Sequence, residues 1–218
     1  MEKPIIFSTP MVRAILDGSK TQTRRVAKVT SADCKDGFVT PLPGFVPRRI
    51  KGHLSYCPYG HPGDTLWVRE KFRLFDSREE CSCYDQCFCH INHNHPIYYA
   101  DTLDDESKWI PPIYLPRRFS RINLLITGIA LERIQDISRA DAKSEGFLPG
   151  LNGLEKWAGK NYGNAQLAFR ACWDSIHAKK GHVWKTNPWV WVIKFKSSMW
   201  SMAWNDEEEW DLRARGLK

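Results

Sequence analysis

Apolar positions along the chain fall into short runs of two kinds, one alternating and one with helical spacing, separated by Gly, Pro and charged residues. Such a pattern predicts a chain of short strands with a few interposed helices. The first element is a short helix over 10–17. Met11, Ala14 and Ile15 form its apolar stripe, Thr9 reads as the N-cap, Pro10 suits the first helical position and Gly18 the C′ position. Ser19-Lys20-Thr21-Gln22-Thr23-Arg24-Arg25-Val26 then reads as a turn running into a strand. Residues 29–62, rich in Pro, Gly and Lys, read as loop or extended segments. Strand character returns over 64–72, entered through a turn at Pro62-Gly63, again over 97–100, and over a longer stretch at 122–134. Ser138-Arg139-Ala140-Asp141 resembles a capping box opening a helix that ends at Glu145-Gly146. A second helix spans 165–177, with Leu167, Ala171 and Ile176 among its apolar positions, and a last strand runs over 189–195 after Pro188. From Ser197 a tail carries Trp200 and Trp204 and then an acidic run. Both a docked amphipathic helix and a frayed end fit it.

Residues 76–95 break this pattern, having almost no aliphatic content, and read as an insertion between two strands. With no internal repeat, the chain is expected to be one domain over 1–196, carrying that insertion, followed by the tail at 197–218. Short strands with few helices favour a small mixed barrel of α+β type over a doubly wound sheet. No phosphate-binding loop or dinucleotide fingerprint occurs, so no organic cofactor is expected.

Composition sharpens this. In 218 residues, 42% are hydrophobic, enough to fill a core and to exclude disorder as the dominant state. A net charge of +7 favours polyanionic partners without the excess of a basic tail. No apolar run reaches the roughly 18 residues of a membrane span, and the first residues lack the pattern of a secretory signal. The expectation is a soluble, cytoplasmic protein without a membrane partner.

Seven cysteines are unevenly placed: Cys34, Cys57 and Cys172 stand apart, whereas Cys81, Cys83, Cys87 and Cys89 cluster and are followed by His90, His93 and His95. In a reducing compartment such a cluster reads as a metal site. Zinc takes four thiolate or imidazole ligands in a tetrahedron, and a loop without a core can draw its folding energy from the metal. A structural zinc on Cys81, Cys83, Cys87 and Cys89 is expected, with His90, His93 and His95 as alternates. Cys57 and His61 stand ready for the same or another site.

Gly18-Ser19-Lys20-Thr21-Gln22-Thr23-Arg24-Arg25 after a short helix is similar to the Gly-x-Lys-x-x-(Glu/Thr)-x-Arg signature of the ASCH domain, a PUA-like β-barrel family. The Pro62-Gly63-Asp64 turn, the segment from Asp136-Ile137-Ser138 to Glu145-Gly146 and the closing Trp191-Val192-Ile193-Lys194-Phe195 strand follow in the order of that family. The opening residues 3–25, CPYG, LWVRE and NPWVWVI also resemble phage and prophage proteins of this type. The resemblance covers most of 4–196 outside the insertion and implies a PUA-like mixed barrel with flanking short helices. One enzymatic branch of the family removes the acetyl group of N4-acetylcytidine using a Lys, a Thr and a Glu. Residue by residue these fall on Lys20, Thr23 and Glu145, with the signature Arg on Arg25. The implied function is hydrolysis of an amide on an N-acylated pyrimidine nucleoside or base.

Amide hydrolysis needs a nucleophile, a group that takes its proton and an acid for the leaving amine. Thr23 would supply the hydroxyl, Lys20 the base, and Glu145 the acid or proton shuttle. Strand alternation puts positions 20 and 23 on opposite faces, so the turn around Lys20 must swing both into one cleft. Lys20 acts as a base only if burial lowers its pKa, and the nearby helix C-terminus works against that. Arg25 shares the face of Thr23 and suits a pyrimidine carbonyl or a phosphate. Trp67 and Arg69 share a face by parity and are expected to line the cleft.

The arginines at 24, 25, 48, 49, 117, 118 and 121 recur in pairs beside Pro or aromatic residues, a pattern suited to phosphate contacts and base stacking. The alternative function is therefore an RNA- or nucleotide-binding module without turnover.

Overall fold

The computed structural model describes residues 1–27, 57–76, 94–147, 155–157 and 160–199. The chain opens with strand β1 (Glu2–Ile6), helix α1 (Thr9–Leu16) and strand β2 (Gln22–Val26). Ser8 rather than Thr9 is the N-cap of α1. Ser is as good an N-cap as Thr, and Pro10, which has no N–H to satisfy, sits in the first turn of the helix. Gly18 takes the left-handed conformation beyond the helix, φ +78°, as its C′ position demands.

Strands β3 (Thr65–Arg69), β4 (Phe72–Leu74) and β5 (Pro96–Tyr98) follow, then a one-turn helix α2 (Tyr99–Thr102) that occupies part of the strand expected over 97–100. β4 pairs antiparallel with β5 from Phe72↔Tyr98 to Leu74↔Pro96. The residues between them are the ones expected to form an insertion between two strands. The expected zinc ligands Cys81, Cys83, Cys87 and Cys89, with His90 and His93, lie outside the described residues, as do Cys34, Arg48, Arg49, Trp200 and Trp204.

β6 (Ile122–Arg133) is a single long strand, α3 (Arg139–Ser144) a short helix, β7 (Glu155–Trp157) and β8 (Lys160–Tyr162) a small hairpin, and α4 (Ala165–His177) the longest helix described. β9 (Trp189–Met199) runs past the expected end at 195, because β6 offers it partners as far as Ile122↔Met199. The first residues of the expected tail therefore belong to the sheet.

Five strands form one mixed sheet in the order β1-β3-β6-β9-β2; β1 runs parallel to β3 and every other pair is antiparallel. A register shift in β6 between Ile126 and Gly128 bends the sheet. Its two edge strands are bridged by a side chain: Arg25 Nη2 on β2 donates to the Ile6 carbonyl on β1 at 2.6 Å. The chain is thus mixed α+β around a strongly curved sheet. Leu66, Val68, Leu124, Ile126, Trp191, Ile193 and Phe195 face α1 on one side, with Ile5, Phe7, Val12 and Ile15. Val190 and Val192 face α3 and α4 on the other side.

The buried stripe of α4 is Ala165, Ala168, Phe169, Cys172 and Trp173, whereas Leu167 and Ile176, named among its apolar positions, are exposed. The helical spacing of 165, 168/169 and 172/173 is the more regular one, and its two alanines let the helix backbone approach the sheet. No described helix is long and apolar enough to cross a membrane.

Candidate functional site

Two segments far apart in sequence meet at the end of α1. The Lys20 amide donates to the Ala14 carbonyl at 2.8 Å and the Thr21 amide to the Ser144 carbonyl at 2.8 Å, and Lys20 and Glu145 form an isolated antiparallel bridge. On the other side, Ser138 and Asp141 cap α3 reciprocally, as the sequence pattern predicts, and Glu145 closes the helix. Gly146 then turns away at φ +96°, and a Cβ placed on it would lie 2.9 Å from the Ala14 Cβ and 3.4 Å from the Lys20 Cβ. Only a glycine lets the end of α3 press this closely against α1.

That approach brings Lys20 Nζ to 2.7 Å from Glu145 Oε2 and 2.9 Å from the Glu145 carbonyl. The Lys20 side chain is 1% exposed and that of Glu145 3%. Arg24, at 1%, places Nη1 3.2 Å from Glu145 Oε1 and Nη2 3.2 Å from Glu132 Oε2 and 3.6 Å from Asp141 Oδ2. Gln22 Nε2 donates to the Asp141 carbonyl at 3.0 Å and to Asp141 Oδ1 at 3.3 Å. Each Glu145 carboxyl oxygen thus has its own basic partner, Lys20 on Oε2 and Arg24 on Oε1.

Burial strips water from the Lys20 ammonium and lowers its pKa; Glu145 opposes this, and Arg25 adds to it. The net direction is downward, so desolvation outweighs the attraction of the Glu145 carboxyl group. Cys172 of α4 lies in the same field. Burial pushes its thiol up to about 12, with Lys20 opposing and Glu145 reinforcing.

Thr23 is buried and, by register opposite Ile193, shares the α1-side face of the sheet with Arg25 opposite Trp191. Lys20 precedes the strand proper, and its turn carries Nζ to 5.8 Å from the centroid of the Phe7 ring, over which Arg25 Cζ lies at 5.0 Å. The turn therefore removes the parity conflict between Lys20 and the face that carries Thr23 and Arg25. Among the described residues no hydrogen bond joins the Thr23 hydroxyl to Lys20 or Glu145.

Trp67 and Arg69 do share a face, with Arg69 Cζ 4.6 Å from the Trp67 ring centroid, but it is the face of β3 opposite Leu66 and Val68. They stand apart from Thr23 and Arg25, because alternation in β3 commits positions 66 and 68 to the α1-side core. Arg117 also approaches Trp67 and pairs with Glu2, while Arg121 is held by Glu70 and Asp101. With Arg24, three of the arginines expected on a phosphate-binding face thus have carboxylate partners.

Cys57 lies 1% exposed in the α1-side core, its thiol pushed up to about 11 by burial. His95, the described member of the alternate zinc ligands, has its pKa lowered by burial. No group of three or more His, Cys, Asp or Glu suited to a metal ion occurs among the described residues.

Sequence reasoning missed Arg24, Gln22, Asp141 and Glu132. The signal for the first two is the parity of 22 and 24 in β2, which places both polar side chains on the face toward the capped helix.

The fold and site together define a mixed α+β protein with a buried lysine–carboxylate–guanidinium cluster between its first and third helices. Compared with protein-family models, curated proteins and solved structures, the chain matches none.

Proposed function

We propose that the chain is an amidohydrolase acting on an N-acylated, N4-acetylcytidine-like pyrimidine nucleoside or base, on a PUA-like ASCH scaffold. The observation that carries this reading is the 2.7 Å contact between Lys20 Nζ and Glu145 Oε2 in a nearly water-free setting. These are two of the three positions at which the ASCH-like pattern implies reacting groups.

At that distance a proton passes between amine and carboxylate with little motion. Neutral Lys20 accepts the proton as the Thr23 hydroxyl adds to the acyl carbon. Glu145 takes it from Lys20 and returns it to the amine nitrogen as the carbon–nitrogen bond breaks. Water then cleaves the acyl ester at Thr23, releasing the acid and restoring the hydroxyl. Burial supports the first step, since it favours the neutral amine. In this reading Arg25, above the Phe7 ring and on the face of Thr23, binds the pyrimidine carbonyl. In the same reading the 76–95 segment carries a structural zinc on Cys81, Cys83, Cys87 and Cys89.

The test is incubation of the purified full chain with N4-acetylcytidine, following release of acetate. Turnover should fall at least about 100-fold in Lys20→Ala. Wild-type turnover no greater than that of the variant, together with salt-dependent retention of RNA, would favour the binding-module alternative instead.

A further inference from the structure

Arg24 occupies an unspecified position of the signature that Lys20, Thr23 and Arg25 match, yet its guanidinium is as deeply buried as the Lys20 amine. It divides its donors by role. Nη2 faces Glu132 on β6 and Asp141 on α3, and Nη1 faces Glu145 Oε1. Lys20 holds the other oxygen, Oε2.

We propose that Arg24 is a positioning residue that reserves Glu145 Oε1, so that the proton exchanged with Lys20 is carried on Oε2 alone.

Charge balance supports the assignment. A cation satisfied only by Glu145 would be left uncompensated, and would withdraw, when that carboxylate takes a proton. Glu132 and Asp141 compensate Arg24 independently, so its charge stays in place while Lys20–Glu145 passes from ion pair to neutral pair. The backbone reinforces this. Gln22, one alternation earlier on β2, binds Asp141 through two acceptors, and Ser138 accepts from the Asp141 amide at 3.0 Å. The carboxylate that steadies Arg24 is therefore itself fixed. A planar guanidinium can serve Oε1 and Glu132 through separate nitrogens, whereas a lysine ammonium is a compact point charge on a flexible stem.

The consequence for turnover rests on the hydrolase reading, but the geometry does not, and two measurements separate them. In protein labelled with ¹³C-glutamate, the Glu145 carboxyl resonance is identified by its loss in Glu145→Gln. In folded Arg24→Met its pH transition should move upward by about one pH unit or more relative to wild type, with Arg24→Lys in between. An unmoved transition overturns the proposal. If Arg24→Met does not fold, Arg24→Lys alone decides, its transition expected to move in the same direction. In turnover, kcat per folded molecule should fall about 10-fold or more in Arg24→Lys at unchanged KM, with the acid limb of the pH profile displaced upward. Equal loss of folded protein and of activity, with kcat per folded molecule preserved, assigns Arg24 a purely structural role. Absence of wild-type turnover with a displaced resonance rejects the hydrolase reading while retaining Arg24 as the group that fixes Glu145.

Discussion

Gly146 lies against Ala14 so closely that a Cβ on the glycine would stand 2.9 Å from the Ala14 Cβ. This contact lets the carboxylate at the end of one helix reach the lysine beyond another. Gly146→Ala should therefore destabilise the protein by about 1–3 kcal/mol, from the steric conflict and from a left-handed φ that alanine resists. It should also lower activity more than stability alone explains, since Lys20 and Glu145 are pushed apart. Urea denaturation beside turnover measures both, and a loss below about 0.5 kcal/mol would contradict the close approach.

Lys20 and Glu145 should be energetically coupled. Glu145→Gln leaves the buried Lys20 amine without its carboxylate and Lys20→Met leaves Glu145 with Arg24 alone; each should cost about 3 kcal/mol. The double variant removes both charges and should cost less than the sum by about 1–3 kcal/mol. Additive losses in a double-mutant cycle would mean that the pair contributes no direct coupling.

His177 should add an acid-sensitive contribution to stability. Burial pushes its pKa down to about 4, with Lys180, Arg25 and His182 adding to the shift. The unfolded imidazole titrates near 6.5, so the unfolded chain binds the proton first as pH falls. The contribution is therefore complete above about pH 6.5 and lost as pH falls through about 4. Solvent screening at this half-buried site limits the effect to about 1 kcal/mol. His177→Gln should flatten the wild-type stability profile across that window; unfolding curves that keep the same slope in both proteins would remove His177 from the account.

The cysteine cluster predicts about one equivalent of zinc per chain by elemental analysis, reduced by Cys83→Ser and Cys87→Ser. Chelation should lower thermal stability, because the metal supplies folding energy to a segment with almost no aliphatic content. Less than about half an equivalent in freshly purified wild type would count against the site.

Local signals placed most elements correctly. The Ser138–Asp141 box, the Gly18 stop, the helix over 165–177 and the strand after Pro188 all depend on neighbours within a few positions, where side chain and backbone chemistry act directly. The same signals misjudged which side of an element is buried. Leu167 and Ile176 are apolar yet exposed, and Trp67 and Arg69 share a face turned away from Thr23 and Arg25. Periodicity identifies a stripe, but the partner that covers it comes from elsewhere in the chain.

The sequence by itself determined the α+β character and the boundaries of α1, α3 and α4 to within a residue or so, and its resemblance to a known signature singled out Lys20, Thr23 and Glu145. Only the tertiary structure decided that Lys20 and Glu145 touch, that Arg24 rather than solvent holds the second carboxylate oxygen, and that Ile6 and Arg25 link opposite edges of one sheet. The physical reason is range. Caps, turns and periodicity are set by steric and hydrogen-bonding preferences over a few residues, whereas a buried ion pair exists only once packing has removed the water around both of its members.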